Sequence, residues 1–330
     1  MAFAAVTLLA AAGCSGSAPA ASATLSRNTG HSLTIAAARM AYQQYVTQSR
    51  QYVASGDQAK ALDLVAAAAW AQAKGQYEAL ASTGTAIPTY RYGTPRFYVP
   101  ALTDYPQWFM VQVPRATEAN GHPGPVAATL MVFDKLTPAG TWTLNGTTGI
   151  DGPLPALQMN DGYAVDVATD DASLLLRPDV VGATQAAVVD EGPANPSATV
   201  ISPGALTTGL YTAQKAHASA EAADSLGYTW LLEGAPFPVF ALQMTDGGAL
   251  VLYGMYLNTT TLHHNLVAGS PIPVPAGFTP LLAAPTEIGY HAVIANWTYQ
   301  FAAVDPPTSQ SNARVDIVAA TGRPSYGHAY

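Results

Sequence analysis

Up to Gly84 the apolar residues of this chain recur every three or four positions, after Pro88 they alternate, and the second half repeats that order. A chain patterned this way builds helices first and lays them on strands that follow. Ser32 is placed to cap a helix whose face carries Ile35, Ala38, Tyr42, Tyr45, Val46, Ser49 and Val53, with Gly56 as its stop. Asp57 then caps a second helix, with Leu62, Val65, Ala69, Ala73, Tyr77 and Leu80 in a stripe that ends at Gly84. With almost no loop between them, the two are expected to pack as an antiparallel hairpin.

Beyond Pro88, strands are expected at Gln107 to Val113, Val126 to Leu136, Thr141 to Leu144 and Tyr163 to Val167, separated by Pro138-Ala139-Gly140 and Asn160-Asp161-Gly162 turns. In the second half, Asp171 caps a short helical stretch through Leu176 that Pro178 breaks, and a longer helix runs from about Leu206 to Leu226. Strands return at Phe237 to Met244, Ala249 to Leu257, Ala292 to Phe301 and Arg314 to Ala319, with Asp246-Gly247 as a hairpin turn. The expected fold is α+β: helical hairpins on antiparallel, curved sheets in two similar units, 31–169 and 170–330, of NTF2-like or cystatin-like form. A heptapeptide, Ala156 to Gly162, returns as Ala241 to Gly247 at an offset of 85 residues, whereas matching Trp108-Phe109-Met110-Val111 to Val239-Phe240-Ala241-Leu242 needs 131. The two offsets disagree, so the heptapeptide is either part of a duplication or one strand-to-turn solution used twice.

The first fourteen residues end in Leu8-Leu9-Ala10-Ala11-Ala12-Gly13-Cys14, and Cys14 is the only cysteine. Small residues before a cysteine after a short apolar run form a lipoprotein signal, in which the thiol takes a diacylglyceryl group and becomes the new N-terminus. No Lys or Arg precedes the run, a departure from ordinary export signals that a start codon set too late would explain. Residues 1–14 are therefore expected to be signal peptide and lipidation site, and 15–30, rich in Ser, Ala, Gly and Pro, a flexible tether. The expected location is the extracytoplasmic face of the cell membrane, held there by lipid on Cys14.

Only 10% of the residues are charged against a usual figure of about 25%. The 13 basic and 21 acidic side chains leave a net charge of −8 with no basic cluster, which sets nucleic acid aside as a partner. With Cys14 acylated, no thiol remains for a disulfide or a thiolate metal site. His263-His264 are strand neighbours that point to opposite faces, and no second ligand pair supports them. Asp170-Asp171 and Asp190-Glu191 sit beside helix-start or turn signals, and Gly247-Gly248 lacks the spacing of a phosphate loop. There is no Gly-x-Ser-x-Gly elbow and no Ser-x-x-Lys pair. No catalytic residue, cofactor or metal is expected, and His263, His264, Asp246 and Glu233 are the side chains to mutate against that view.

Gly56-Asp57, Phe97-Tyr98-Val99-Pro100, Tyr105-Pro106-Gln107-Trp108-Phe109, Thr141-Trp142-Thr143-Leu144 and Asp246-Gly247-Gly248-Ala249-Leu250-Val251, in that order, carry a resemblance covering most of the chain after residue 31. The chain resembles actinobacterial envelope lipoproteins with a large domain of unknown function. That resemblance implies a secreted, lipid-anchored protein and brings no catalytic residues with it. The expected function is non-catalytic binding or interaction with an envelope protein or a small amphipathic ligand. A ligand carrier or sensor with an aromatic-lined cavity, in which Trp108, Tyr253 and Trp297 touch the ligand, is the alternative, and an envelope hydrolase comes third.

Overall fold

The computed structural model describes residues 33–119, 122–263, 272–282 and 291–329. Cys14, the tether and His264 lie outside them. The chain is α+β, built as four layers: helix, sheet, sheet, helix.

The first sheet holds β1 (Thr89–Tyr92), β2 (Arg96–Tyr98), β3 (Gln107–Ala119), β4 (His122–Lys135) and β5 (Thr143–Ile150), in the order β1-β3-β4-β5 with β2 also on β3. The second holds β8 (Leu226–Gly234), β9 (Phe240–Gln243), β10 (Ala249–His263), β11 (Ala292–Asp305) and β12 (Asp316–Ala329), in the order β12-β11-β10-β8 with β9 also on β10. All pairings within both sheets are antiparallel. The two topologies are the same: a first strand split in two, both pieces paired with one long second strand, then a third and a fourth.

Alternation along β3 explains the layering. Trp108 and Met110 join Leu130, Val132, Phe240, Leu242, Leu250 and Leu252 in a core between the sheets, while Phe109, Val111 and Val113 turn to the helix layer. Along β10, Leu250 and Leu252 face the first sheet, and Val251, Tyr253, Met255 and Leu257 face α4 (Pro178–Glu191). Strands buried on both faces need apolar residues in succession, which is how Phe109-Met110-Val111 and Ala249 to Leu252 read.

The expected boundary at 169/170 does not separate two cores. Residues 31–330 form one compact unit, because the inter-sheet core draws side chains from both halves. The connector between the halves is stitched to both sheets. Its β6 (Met159–Asn160) and β7 (Tyr163–Ala164) form a hairpin in which the Ala164 amide donates to Val99 O at 2.9 Å, beside the first sheet. On the other side, the Gln243 amide of β9 donates to Val165 O at 2.9 Å. The two heptapeptides pair with one another here: Gln158 N donates to Gln243 O at 2.8 Å and Thr245 N to Ala156 O at 2.9 Å. Gln158 and Gln243 are matching positions of the two copies. The copies occupy different places in the topology, the connector and the β9–β10 turn. The counterpart of β3 is β10 rather than β9, so neither sequence offset tracks the repeated sheet.

Several helix expectations change. α1 (Ile35–Ser55) is capped by Thr34, whose hydroxyl accepts from the Ala37 amide at 3.1 Å, the expected cap Ser32 lying outside the described residues, and Gly56 closes it in the left-handed region at φ 70. The second helix is broken into α2 (Gln58–Leu62) and α3 (Ala67–Thr83). Between them Leu144 N donates to Leu64 O at 3.0 Å and Ala66 N to Leu144 O at 2.9 Å, so the chain trades a helical turn for pairing with β5. Pro178 starts α4 instead of breaking a helix, since a missing N–H costs nothing in a first turn. Asp171 caps no helix; its carboxylate accepts from Ser173 N at 2.8 Å in a turn. The later helix is α5 (Thr208–Ala223).

Candidate functional site

Between α1 and α3 lies a cavity of about 120 Å³. Tyr45, Ser49, Arg50 and Val53 line it from α1, and Ala69, Gln72, Ala73, Gln76 and Tyr77 from α3. Tyr90 and Tyr92 of β1, Arg115 of β3, Leu144 and Thr147 of β5, and Thr321 and Arg323 of β12 complete the wall. The expected flush hairpin is thus held apart. The break at Val65, which pins the start of α3 to β5, turns α3 toward β12, where Gly75 lets it approach: a Cβ there would lie 2.6 Å from Pro324 O.

The floor is a chain of buried amides. Gln72 Nε2 donates to Thr298 O at 2.8 Å and to Thr321 O at 2.9 Å, and its Oε1 accepts from Gln300 Nε2 at 2.7 Å. Gln300 Oε1 in turn accepts from the Thr147 amide. Both glutamine amides are engaged, so a polar floor joins α3, β5, β11 and β12.

The wall is cationic and phenolic. Arg50 donates from Nε and Nη2 to Tyr90 O at 3.3 and 3.0 Å. The Arg115 guanidinium lies 4.6 Å from the centre of the Tyr90 ring and beside the Tyr92 phenol. Burial pushes the Tyr92 phenol up to about 12, with Tyr90 adding to the shift and Arg115 opposing it. Burial likewise raises Tyr45 well above the ordinary phenol value and raises Tyr77. At neutral pH these phenols keep their protons and can donate. Among the described residues no Asp or Glu lines the cavity, and neither Arg50, Arg115 nor Arg323 forms a salt bridge.

The three aromatics expected to touch a ligand lie elsewhere. Trp108 is 7% exposed, packs tilted against Phe240 at 5.1 Å and lies beside the Asp166 carboxyl, which burial pushes up to about 6 against the opposing influence of the indole. Tyr253 donates to Gln185 Oε1 at 2.6 Å and borders only a 30 Å³ space. Trp297 packs edge-on to Phe278 at 4.4 Å. All three pack on or within the cores, and Tyr253 ties its phenol to Gln185 as a buried phenol requires. Two of the cavity's tyrosines, Tyr90 and Tyr92, fall in a stretch, Thr89 to Tyr92, for which no strand was expected. Tyr90-Arg91-Tyr92 between turn residues was the available signal.

The side chains weighed for hydrolysis are not brought together. Asp246 accepts from Gly248 N at 3.0 Å in the turn before β10, whereas His263 ends that strand. Glu233 accepts from Asn258 Nδ2 midway along it. Asp190 is at the end of α4 rather than a start, accepting from Leu232 N at 2.8 Å, and is pushed up to about 6 by burial and by Glu191 and Glu233. Among the described residues no three His, Cys, Asp or Glu side chains gather where they could hold a metal ion.

Fold and site together define a helix–sheet–sheet–helix α+β protein with a polar cavity under its first helices. The chain matches the family described as a domain of unknown function, DUF8094, over residues 30–323, and it belongs to that family. It is 26% identical over 160 residues to an uncharacterized lipoprotein of Streptomyces avermitilis, an alignment spanning 48% of this chain and 45% of the relative. The chain thus spans about half the length of the curated relative it matches. No solved structure matches it.

Proposed function

We propose that this DUF8094 protein is a lipid-anchored binding protein of the actinobacterial cell envelope, which holds a small ligand between α1 and α3 and performs no chemistry on it. The cavity carries the reading: its size is set by a broken helix, and its partly apolar wall carries hydrogen-bond donors with, among the described residues, no acid pair beside them. Anchoring through Cys14 draws support from the Streptomyces lipoprotein relative. No described helix is long and apolar enough to cross a membrane.

Native mass spectrometry of the protein purified from its own host tests the binding function. A retained small molecule in wild type, missing from a variant whose cavity is filled by Ala73→Phe, is the expected result. Equal retention by both would refute the site. Intact mass should show residues 1–13 removed and an acyl group on Cys14, and Cys14→Ala should release the protein from membranes. An unmodified thiol in membrane-extracted protein contradicts the anchor. Turnover of an ester, amide, glycoside or phosphate that disappears on alanine substitution of His263, His264, Asp246 or Glu233 would overturn the non-catalytic assignment.

A further inference from the structure

We infer that the cavity's ligand is a small organic anion, an oxyanion head on a body no larger than a single ring. This rests on the cavity being the binding site and goes beyond it in naming the ligand's charge and size.

The charge argument starts from what is missing beside Arg115. The chain carries 21 acidic side chains against 13 basic ones, yet among the described residues no Asp or Glu lines this cavity, to which Arg50, Arg115 and Arg323 all contribute. Arg115 is half-buried, and its contacts are a neutral ring and a neutral phenol. Taking a guanidinium partly out of water without a counter-charge is costly, and packing alone would be served as well by an uncharged side chain. A bound anion supplies the missing partner, with the planar fork of Arg suited to a carboxylate or phosphate. Arg50 and Arg323 are exposed, so they mark the rim, and Arg115 lies further in. Tyr92, protonated at neutral pH, adds a neutral donor to the same anion.

Size follows from volume. A cavity of about 150 Å³ in another protein takes up a benzene ring, while drug-sized ligands need about 300 Å³ or more. At about 120 Å³ this one matches a ring-sized or short-chain body. Val53, Ala69 and Leu144 give that body an apolar wall.

Calorimetric titration of the full chain with phenyl phosphate, benzoate and the uncharged benzyl alcohol tests this. Binding of at least one anion, weakened about tenfold to a hundredfold by Arg115→Gln through loss of a charge-assisted hydrogen bond, with benzyl alcohol much weaker, is the expected outcome. Circular dichroism of Arg115→Gln at the wild-type melting profile keeps the loss attributable to the site, and Arg323→Gln, on the exposed rim, should weaken binding by a smaller factor in a folded protein. Benzyl alcohol binding as tightly as the anions, and being blocked by Ala73→Phe, would overturn the anion assignment while leaving the cavity as the site. No binding of any probe, together with equal ligand retention by wild type and Ala73→Phe in native mass spectrometry, would remove both. Displacement of a bound anion by phosphatidylglycerol vesicles would also overturn the inference, by making the ligand a lipid headgroup.

Discussion

Both sheets carry helices on their outer faces, but they meet them differently. Over the second sheet α4 lies flush: Val181, Gln185, Val188 and Val189 interlock with Val251, Tyr253, Met255 and Leu257. A Cβ on Gly182 would stand 3.2 Å from the Tyr253 ring and 3.3 Å from Met255 Sδ, which shows how little room remains. Over the first sheet, α1 covers Phe109, Val111 and Phe133, but α3 swings away to β12 and leaves a space lined by Ala69, Ala73 and three arginines. The same topology is therefore closed once with apolar side chains and left open once with charged ones. Packing demands alone would favour the closed form at both places, so the open one is where function is to be sought.

The position of α3 decides whether the first layer stays open. Gly75→Ala would normally stabilise a helix interior by about 1 kcal/mol. Here the added Cβ meets Pro324 O at 2.6 Å and Ser325 Cα at 2.7 Å, both backbone, so the sign reverses. A net loss of about 2–3 kcal/mol by urea denaturation is expected, the largest of this set. Unchanged or higher stability would mean α3 does not sit on β12 as described. Gln72→Leu removes the central amide of the cavity floor and orphans the Gln300 amide, for an expected loss of about 1–3 kcal/mol by the same measurement.

A pH effect sharpens the contrast from the closed side. Asp305 at the end of β11 is fully buried, accepts from the Leu176 amide at 3.3 Å and leaves Oδ2 without a partner; burial raises its carboxyl to about 7. Because the folded state holds this proton more tightly than the unfolded one, its contribution to stability is greatest below about pH 4 and is lost as pH rises toward 7. Asp305→Asn should match wild type near pH 4 and exceed it at pH 8 by about 1 kcal/mol or more. Equal thermal melting differences at both pH values would show that the carboxyl is not the source. The smallest effect belongs to the open layer: Ala73→Val, pointing into free space, should change stability by less than about 0.5 kcal/mol.

Periodicity made most of the architecture legible, and its failures have local causes. Gly56 and Gly84 end their helices as their positions suggest, at φ 70 and φ 63, and the Asp246-Gly247 turn forms the β9–β10 connection. The break at Val65 was hidden because the stripe of Leu62, Val65 and Ala69 continues across it in sequence; only the distant β5 offers the backbone partner that interrupts the helix. β1 and β2 are four and three residues long, too short for alternation to register. The site was missed for a related reason. Its arginines at 50, 115 and 323 are far apart in sequence and form no cluster until α3 crosses to β12. Trp108, Tyr253 and Trp297 stand out in sequence as strand aromatics, but their strands pack on or within the cores of the four-layer fold.

Residue-resolved amide chemical shifts of the full chain during titration with phenyl phosphate test the contrast between the layers most directly. The account predicts saturable changes confined to α1, α3, β1 and the Arg115 segment of β3, with α4 and the strands beneath it unmoved. Changes centred on α4 and α5, or spread evenly across both layers, would contradict it.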